Sequence, residues 1–160
     1  MGRITYVTND IWTDDAICDL PNDSYRLLYF RLLLNESNNI AGYFRVNTRH
    51  LAQDSKKSLK TMKDMLKADT TLWMYDEATE QVLIPTYLKY NNVRSVKQLS
   101  AVNFAIRQLK VCPLHLEFIK ALEEYGGIGS VGAIDKGILR DCYKIASGDV
   151  DALKIIGAYI

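Results

Sequence analysis

Apolar positions fall into helical and extended patterns along the chain. Tyr25, Leu28, Tyr29, Leu32 and Leu33 recur at i, i+3, i+4, i+7 and i+8, which is one stripe of an amphipathic helix. Just before it, Leu20-Pro21-Asn22-Asp23-Ser24 reads as a helix start, because Asn22 or Asp23 can accept from the free N–H groups of a first turn. Asn35 to Asn39 is polar and ends the stripe, and Gly42 leads into Tyr43-Phe44-Arg45-Val46, a short β-prone run. Thr48 then opens a helix over Arg49 to Gln53, with Leu51 and Ala52 inward. Ser58 opens another, with Leu59, Met62 and Leu66 on one face and Lys60, Lys63, Asp64 and Lys67 on the other. Leu72 to Tyr75 and Gln81 to Ile84 are β-prone runs around the polar turn Asp76 to Glu80, so they predict a hairpin; Pro85 ends the ladder because it lacks a donor.

Beyond it, Tyr87 to Arg94 reads as a polar-aromatic link. A helix is expected from about Ser95, with Val96, Leu99, Val102, Ile106 and Leu109 near a 3.6 period. Pro113 suits the first turn of a further helix reaching Tyr125, Gly126 to Ser130 reads as a flexible break, and Ala133–Ala146 and Val150–Tyr159 predict two last helices. Ile4 to Val7 reads as a short strand or arm. The chain ends in Ile-Ile-Gly-Ala-Tyr-Ile, a tail expected to be packed, which suggests a homodimer through the C-terminal helices.

Two short helices separated by about four residues, the second with a basic outer face, make a helix-turn-helix. The order helix, strand, helix, helix, hairpin is that of a winged helix. The fold class expected is therefore mainly α with a small β-hairpin: a winged helix-turn-helix over residues 22–90, in a domain spanning 1–92, followed by a helical C-terminal region over 93–160 for dimerisation or partner binding. At 160 residues, 48% hydrophobic and 24% charged, the chain has enough apolar material for a core. No apolar run approaches the roughly 18 residues of a membrane span. Met1 to Asp15 lacks the basic and apolar segments of a signal peptide. Cys18, Cys112 and Cys142 lie far apart and suit buried thiols in a reducing compartment, so a cytoplasmic location is expected, with no membrane partner.

Net charge is only +1, but it is unevenly spread. Arg45, Arg49, Lys56, Lys57, Lys60, Lys63 and Lys67 face only Asp54 and Asp64 in residues 45–67, a local +5, whereas residues 68–80 carry −4. Residues 81–110 hold Lys89, Arg94, Lys97, Arg107 and Lys110 with no acid, again +5. Such blocks are the usual trace of a phosphate-binding face; a solvated helix face is the plainer reading.

Thr48, Leu51-Ala52, Ser58, Thr61-Met62 and Leu66 resemble the helix-turn-helix of bacterial and phage winged-helix proteins, with Leu-Ala, a turn, Ser, Thr and an apolar pair at this spacing. A wider frame runs from Tyr25-Arg-Leu-Leu-Tyr-Phe-Arg-Leu-Leu-Leu-Asn35 through Gly42-Tyr-Phe-Arg-Val46 to Ile84-Pro-Thr-Tyr-Leu-Lys-Tyr-Asn91 and Ser95-Val-Lys-Gln98. It resembles, over roughly residues 10–110, the N-terminal domain of phage replication initiators, or replisome organisers. The resemblance implies a protein of the bacterial host cytoplasm that binds origin DNA, and recruitment of a helicase or helicase loader. The family often has Gly and an apolar residue in the turn where this chain has Lys56 and Lys57, so a longer or differently shaped turn is expected, because a non-Gly residue at positive φ costs about 1 kcal/mol.

For double-stranded DNA the helix from Ser58 is the expected reader, since a major groove admits one helix. Lys57, Lys60, Lys63 and Lys67, with Arg45 and Lys56 beside them, would meet phosphates, which position without specifying. Ser58, Thr61 and Asp64 are the polar candidates near bases, and Thr48 and Arg49 could meet a phosphate at a helix start. The acidic hairpin tip should be repelled by phosphate. Lys89, Asn91, Arg94 and Lys97, with Tyr90 and Asn92, form a second candidate contact, although Tyr90 reads more simply as a half-buried tyrosine than as a stacking platform for single strands. Catalysis is not expected. His50 and His115 have no ligand spacing with a second His or Cys, Cys112-Pro-Leu-His115 offers only two ligands, and Gly126-Gly-Ile-Gly-Ser130 lacks the lysine of a phosphate loop. No metal or cofactor is expected. A winged-helix transcriptional regulator and a protein–protein adaptor without DNA affinity are the alternatives.

Overall fold

The computed structural model describes residues 11, 13–126 and 131–160. The expected arm at Ile4–Val7 and residues 127–130 of the expected break lie outside these. Among the described residues the protein is mainly helical, with one small antiparallel sheet. In chain order the elements are α1 (Asp15–Cys18), α2 (Asp23–Leu33), β1 (Tyr43–Arg45), α3 (Thr48–Asp54), α4 (Leu59–Leu66), β2 (Met74–Asp76), β3 (Gln81–Leu83), α5 (Tyr87–Tyr90), α6 (Val96–Arg107), α7 (Leu114–Tyr125), α8 (Lys136–Ile145) and α9 (Val150–Gly157).

Local chemistry sets the helix starts. Asn22 caps α2 by accepting from the Ser24 N–H, and Ser58 caps α4 by accepting from the Thr61 N–H. Ser95 and Gln98 form a reciprocal capping box on α6. Asn47, rather than the expected Thr48, caps α3. Two one-turn helices, α1 and α5, were not expected; the link at Tyr87–Arg94 begins with the second of them.

The strands are ordered β1-β3-β2, with β3 central and antiparallel to both. Tyr43 pairs with Leu83 and Phe44 with Val82, so alternation sends Tyr43 and Leu83 to one face and Phe44 and Val82 to the other. Each face carries a core. Phe44, Val46, Val82 and Ile84 pack with Leu28, Leu32, Leu51, Met62, Leu66 and Trp73 from α2 to α4 and the segment before β2. Tyr43 and Leu83 pack with Val102, Ile106, Phe118, Ile119, Leu139 and Ile156 from α6 to α9. The C-terminal helices therefore form the second layer on the same sheet. Helix α5 straddles the junction: Tyr87 belongs to the first core and Leu88 to the second.

Several apolar positions depart from the expected pattern. Leu59 and Val96 sit at helix starts and stay exposed, Val96 at 86%. The C-terminal tail packs within the chain, with Ile156 fully buried and Ile155 and Tyr159 partly so, against the core that holds α7. Cys112 and Cys142 are buried, but Cys18 is exposed. Burial pushes the Cys142 thiol up to about 12.

A buried polar cluster joins the sheet to the second layer. Gln81 Nε2 donates to Tyr43 Oη (3.1 Å) and to the Lys110 carbonyl (2.9 Å), and Gln81 Oε1 accepts from the Lys110 N–H (2.8 Å). Tyr43 Oη lies 2.7 Å from His115 Nδ1, which also accepts weakly from the Cys112 N–H at 3.4 Å. The Cys112 N–H aimed at Nδ1 fits the neutral ring with its proton on Nε2, the tautomer in which the Tyr43 hydroxyl donates to Nδ1. Burial lowers the His115 pKa to about 4, from 6.5. Burial, reinforced by Cys112, also pushes the Tyr43 phenol far upward.

Two predictions follow from this packing. Gly42 has φ +65°, and a Cβ there would lie 2.3 Å from Tyr87 Cβ, an atom that no rotamer change can move. Gly42→Ala is expected to lose about 3 kcal/mol in urea unfolding, and a change below ~1 kcal/mol would refute this account of the glycine. For His115, the unfolded ring takes up a proton near pH 6.5 and the folded ring only near pH 4, so the unfolded state binds more protons between them and stability rises with pH. Lowering the pH from 7 to 5 should cost about 2 kcal/mol, and His115→Gln should remove most of that slope. An unchanged slope in the variant would assign the acid sensitivity elsewhere.

Candidate nucleic-acid interface

The site is built around the short connection between α3 and α4. After Ser55 ends α3, Lys56 adopts φ +52°, its N–H bonds to the Gln53 carbonyl (3.0 Å), and the Lys57 N–H bonds to the Ala52 carbonyl (2.9 Å). This pair of bonds is a Schellman turn with lysine in the position glycine favours. The expected longer or reshaped turn is not found. The turn is tight, and the left-handed strain is absorbed by Lys56, because the two bonds satisfy carbonyls that α3 would otherwise leave unpaired.

Helix α4 follows with Met62, Met65 and Leu66 buried. Ser58 and Thr61 hydroxyls lie 2.8 Å apart, so these two base-contact candidates are linked at the helix start. Arg49, Lys56, Lys60, Thr61 and Asp64 are exposed, and Lys57 is half-buried. Lys57 lines a crevice together with Leu27, Leu28, Met62 and Met65. Thr48 is corrected as a contact: it is fully buried, and its hydroxyl lies 3.1 Å from Tyr75 Oη. As the first residue inside α3 it turns toward the hairpin, leaving the cap to Asn47.

The acidic hairpin partners three of the expected phosphate contacts. Glu77 binds Lys63 at 3.1 Å and Lys67 at 3.0 Å, and Glu80 binds Arg45 at 3.2 Å. The hydrogen bond from Lys67, then that from Lys63, lowers the Glu77 pKa, and the same contact with Glu77 raises that of Lys67. Among the described residues, Arg49, Lys56, Lys57 and Lys60 take part in no ion pair.

The second expected cluster is placed differently. The Lys89 ammonium lies 5.4 Å from the centre of the Tyr90 ring, and Asn91 Nδ2 bonds back to the Tyr87 carbonyl at 3.3 Å. The Arg94 N–H bonds to Gln98 Oε1, and Lys97 is exposed on α6. Helix α6 packs on the face of the sheet opposite α4, so Lys97 and the α4 lysines belong to different layers. Sequence reasoning missed Glu77 as a partner of α4; the acidic hairpin was visible, but not its contact with Lys63 and Lys67. Cys112 and His115 belong to the buried cluster with Tyr43 and Gln81, and no group of three or more potential metal ligands occurs among the described residues.

No protein-family model, curated protein or solved structure matches the chain. Among the described residues no helix is long and apolar enough to cross a membrane.

The left-handed Lys56 yields a stability prediction. Lys56→Gly should gain about 0.5–1 kcal/mol, relief of backbone strain exceeding the entropy glycine adds to the unfolded chain. Lys56→Val should lose about 1–2 kcal/mol, because a β-branched residue tolerates positive φ poorly. Urea midpoints in the opposite order would show that the turn is not held at positive φ.

Proposed function

We propose that this chain is a non-catalytic, double-stranded-DNA-binding protein of the phage replication-initiator type, which holds origin DNA on α4 and recruits helicase-loading machinery in the cytoplasm of a bacterial host. The observation that carries the reading is the cluster of Lys56, Lys57 and Lys60 around the start of α4, with Arg49 on the first turn of α3, all without an ion-pair partner among the described residues. Element order supports a winged helix-turn-helix: helices α2 to α4, with β1 completing a sheet with the β2–β3 hairpin. The Schellman turn sets α4 immediately after α3, as such a motif requires. Lys56, Lys57 and Lys60 would then meet phosphates, while Thr61 and Asp64 are the side chains for base edges. The replication role rests on the resemblance over residues 10–110.

A ligand-responsive regulator has one observation in its favour. A cleft of about 250 Å³ lies between α1, α2 and α5, with Ile17, Tyr29, Leu33, Leu72 and Tyr87 among its lining. Small-molecule control of DNA affinity would favour that reading; binding confined to origin DNA and a helicase-loader contact would favour the first.

Fluorescence anisotropy with a duplex at two salt concentrations tests DNA binding. Lys56→Glu/Lys60→Glu leaves the hairpin ion pairs intact, which a substitution at Lys63 would not. Wild-type binding should weaken with salt, and the double variant should lose roughly 100-fold in affinity with a salt slope shallower by about 2. A folded variant that binds as tightly as wild type would remove α4 from the interface. No binding by wild type at low salt would favour a protein-docking role.

A further inference from the structure

Glu77 occupies an unusual place for an acid beside a DNA-facing helix. It stands at the tip of the β2–β3 hairpin, between Lys63 on the last turn of α4 and Lys67, the residue that caps its end. Asp76 accepts the Thr79 N–H at 2.9 Å and closes the turn that carries Glu77, so the carboxylate is presented by a folded loop rather than a free chain end. The other nearby hairpin acid, Glu80, faces Arg45. The lysines at the start of α4 are thus unpartnered among the described residues, while those at its end are not.

Resting on the DNA-binding reading above, we infer that Glu77 is the affinity-limiting residue of this interface: it holds Lys63 and Lys67 on the hairpin, so that DNA is gripped only by the start of α4. Two cations bridged by one carboxylate present a net +1 where they would otherwise present +2. A phosphate approaching the end of α4 must compete with a carboxylate already in place. Exposed ion pairs contribute little to folding, so the arrangement can be altered without unfolding the protein. Its effect falls instead on the number of counterions that the interface displaces from DNA.

The test uses the full chain and a 20-base-pair duplex, with affinity read by anisotropy at 50 and 200 mM salt. Glu77→Gln is expected to bind about five- to tenfold more tightly at 50 mM, with a salt slope steeper by about 1–2, because freed lysines add phosphate contacts. Adding Lys63→Gln and Lys67→Gln to that variant should abolish the gain. Glu123→Gln, the same charge change on exposed α7 surface in the other layer, should stay within about twofold of wild type. Circular dichroism melts check that each variant is folded. Wild-type binding with no gain in Glu77→Gln, an equal gain in Glu123→Gln, or a gain that survives loss of both lysines would overturn the inference alone. Absence of binding by wild type and Glu77→Gln alike would overturn the DNA-binding reading, and the inference with it.

Discussion

Everything in this fold leans on a central strand of three residues. Gln81, Val82 and Leu83 are at most 1% exposed, and β3 is bonded on both edges and covered on both faces. A three-stranded sheet with strands this short has little stability of its own. Small antiparallel sheets commonly leave one face in water; here α2 to α4 cover one face and α6 to α9 the other. Neither layer can leave without exposing half of the strand. Gln81 makes the dependence chemical as well as hydrophobic, because its buried amide takes its partners from β1 and from the segment before α7. Stranding such a group would cost about 1–3 kcal/mol.

Much of the first layer was legible in the sequence, because its signals are local. The α2 stripe, the Ser58 cap and the two hairpin runs each depend on neighbours within a few residues, and each appears at or near its expected place. The sheet's third strand, Tyr43–Arg45, was visible as a β-prone run, but its antiparallel pairing with Gln81–Leu83 is a long-range fact. The one-turn helices α1 and α5 are too short to leave a period. Apolar positions at helix starts, Leu59 and Val96, match the period yet face outward, because periodicity alone does not say where the burying partner ends.

The buried cluster was the least legible feature. Tyr43, Gln81, Cys112 and His115 span 73 positions of the chain, and no spacing among them points to a network. The sequence offered Cys112 and His115 as a poor metal pair. Burial keeps the His115 ring neutral and the Tyr43 hydroxyl lies 2.7 Å from its Nδ1, so a residue that looks like a ligand instead fastens one layer to the sheet.

Charge is where sequence and structure part most clearly, and the sheet is the reason. Two basic blocks of equal charge suggested a first and a second phosphate contact, but α4 and α6 lie on opposite faces of β1-β3-β2, so the lysines of the two helices do not share a face. Within the first block, the acids that the sequence places ten or more residues later fold back onto it through the hairpin. Linear charge density therefore overstates the free charge of α4 and hides its polarity. Lys56, Lys57 and Lys60 stand around the start of the helix without ion-pair partners among the described residues, where aligned peptide dipoles also favour anions, while Glu77 offsets charge towards its end. A helix graded in this way is not a uniform basic rod. The free charge of α4 is concentrated at one end, and that end is where the turn at Lys56 joins α4 to α3.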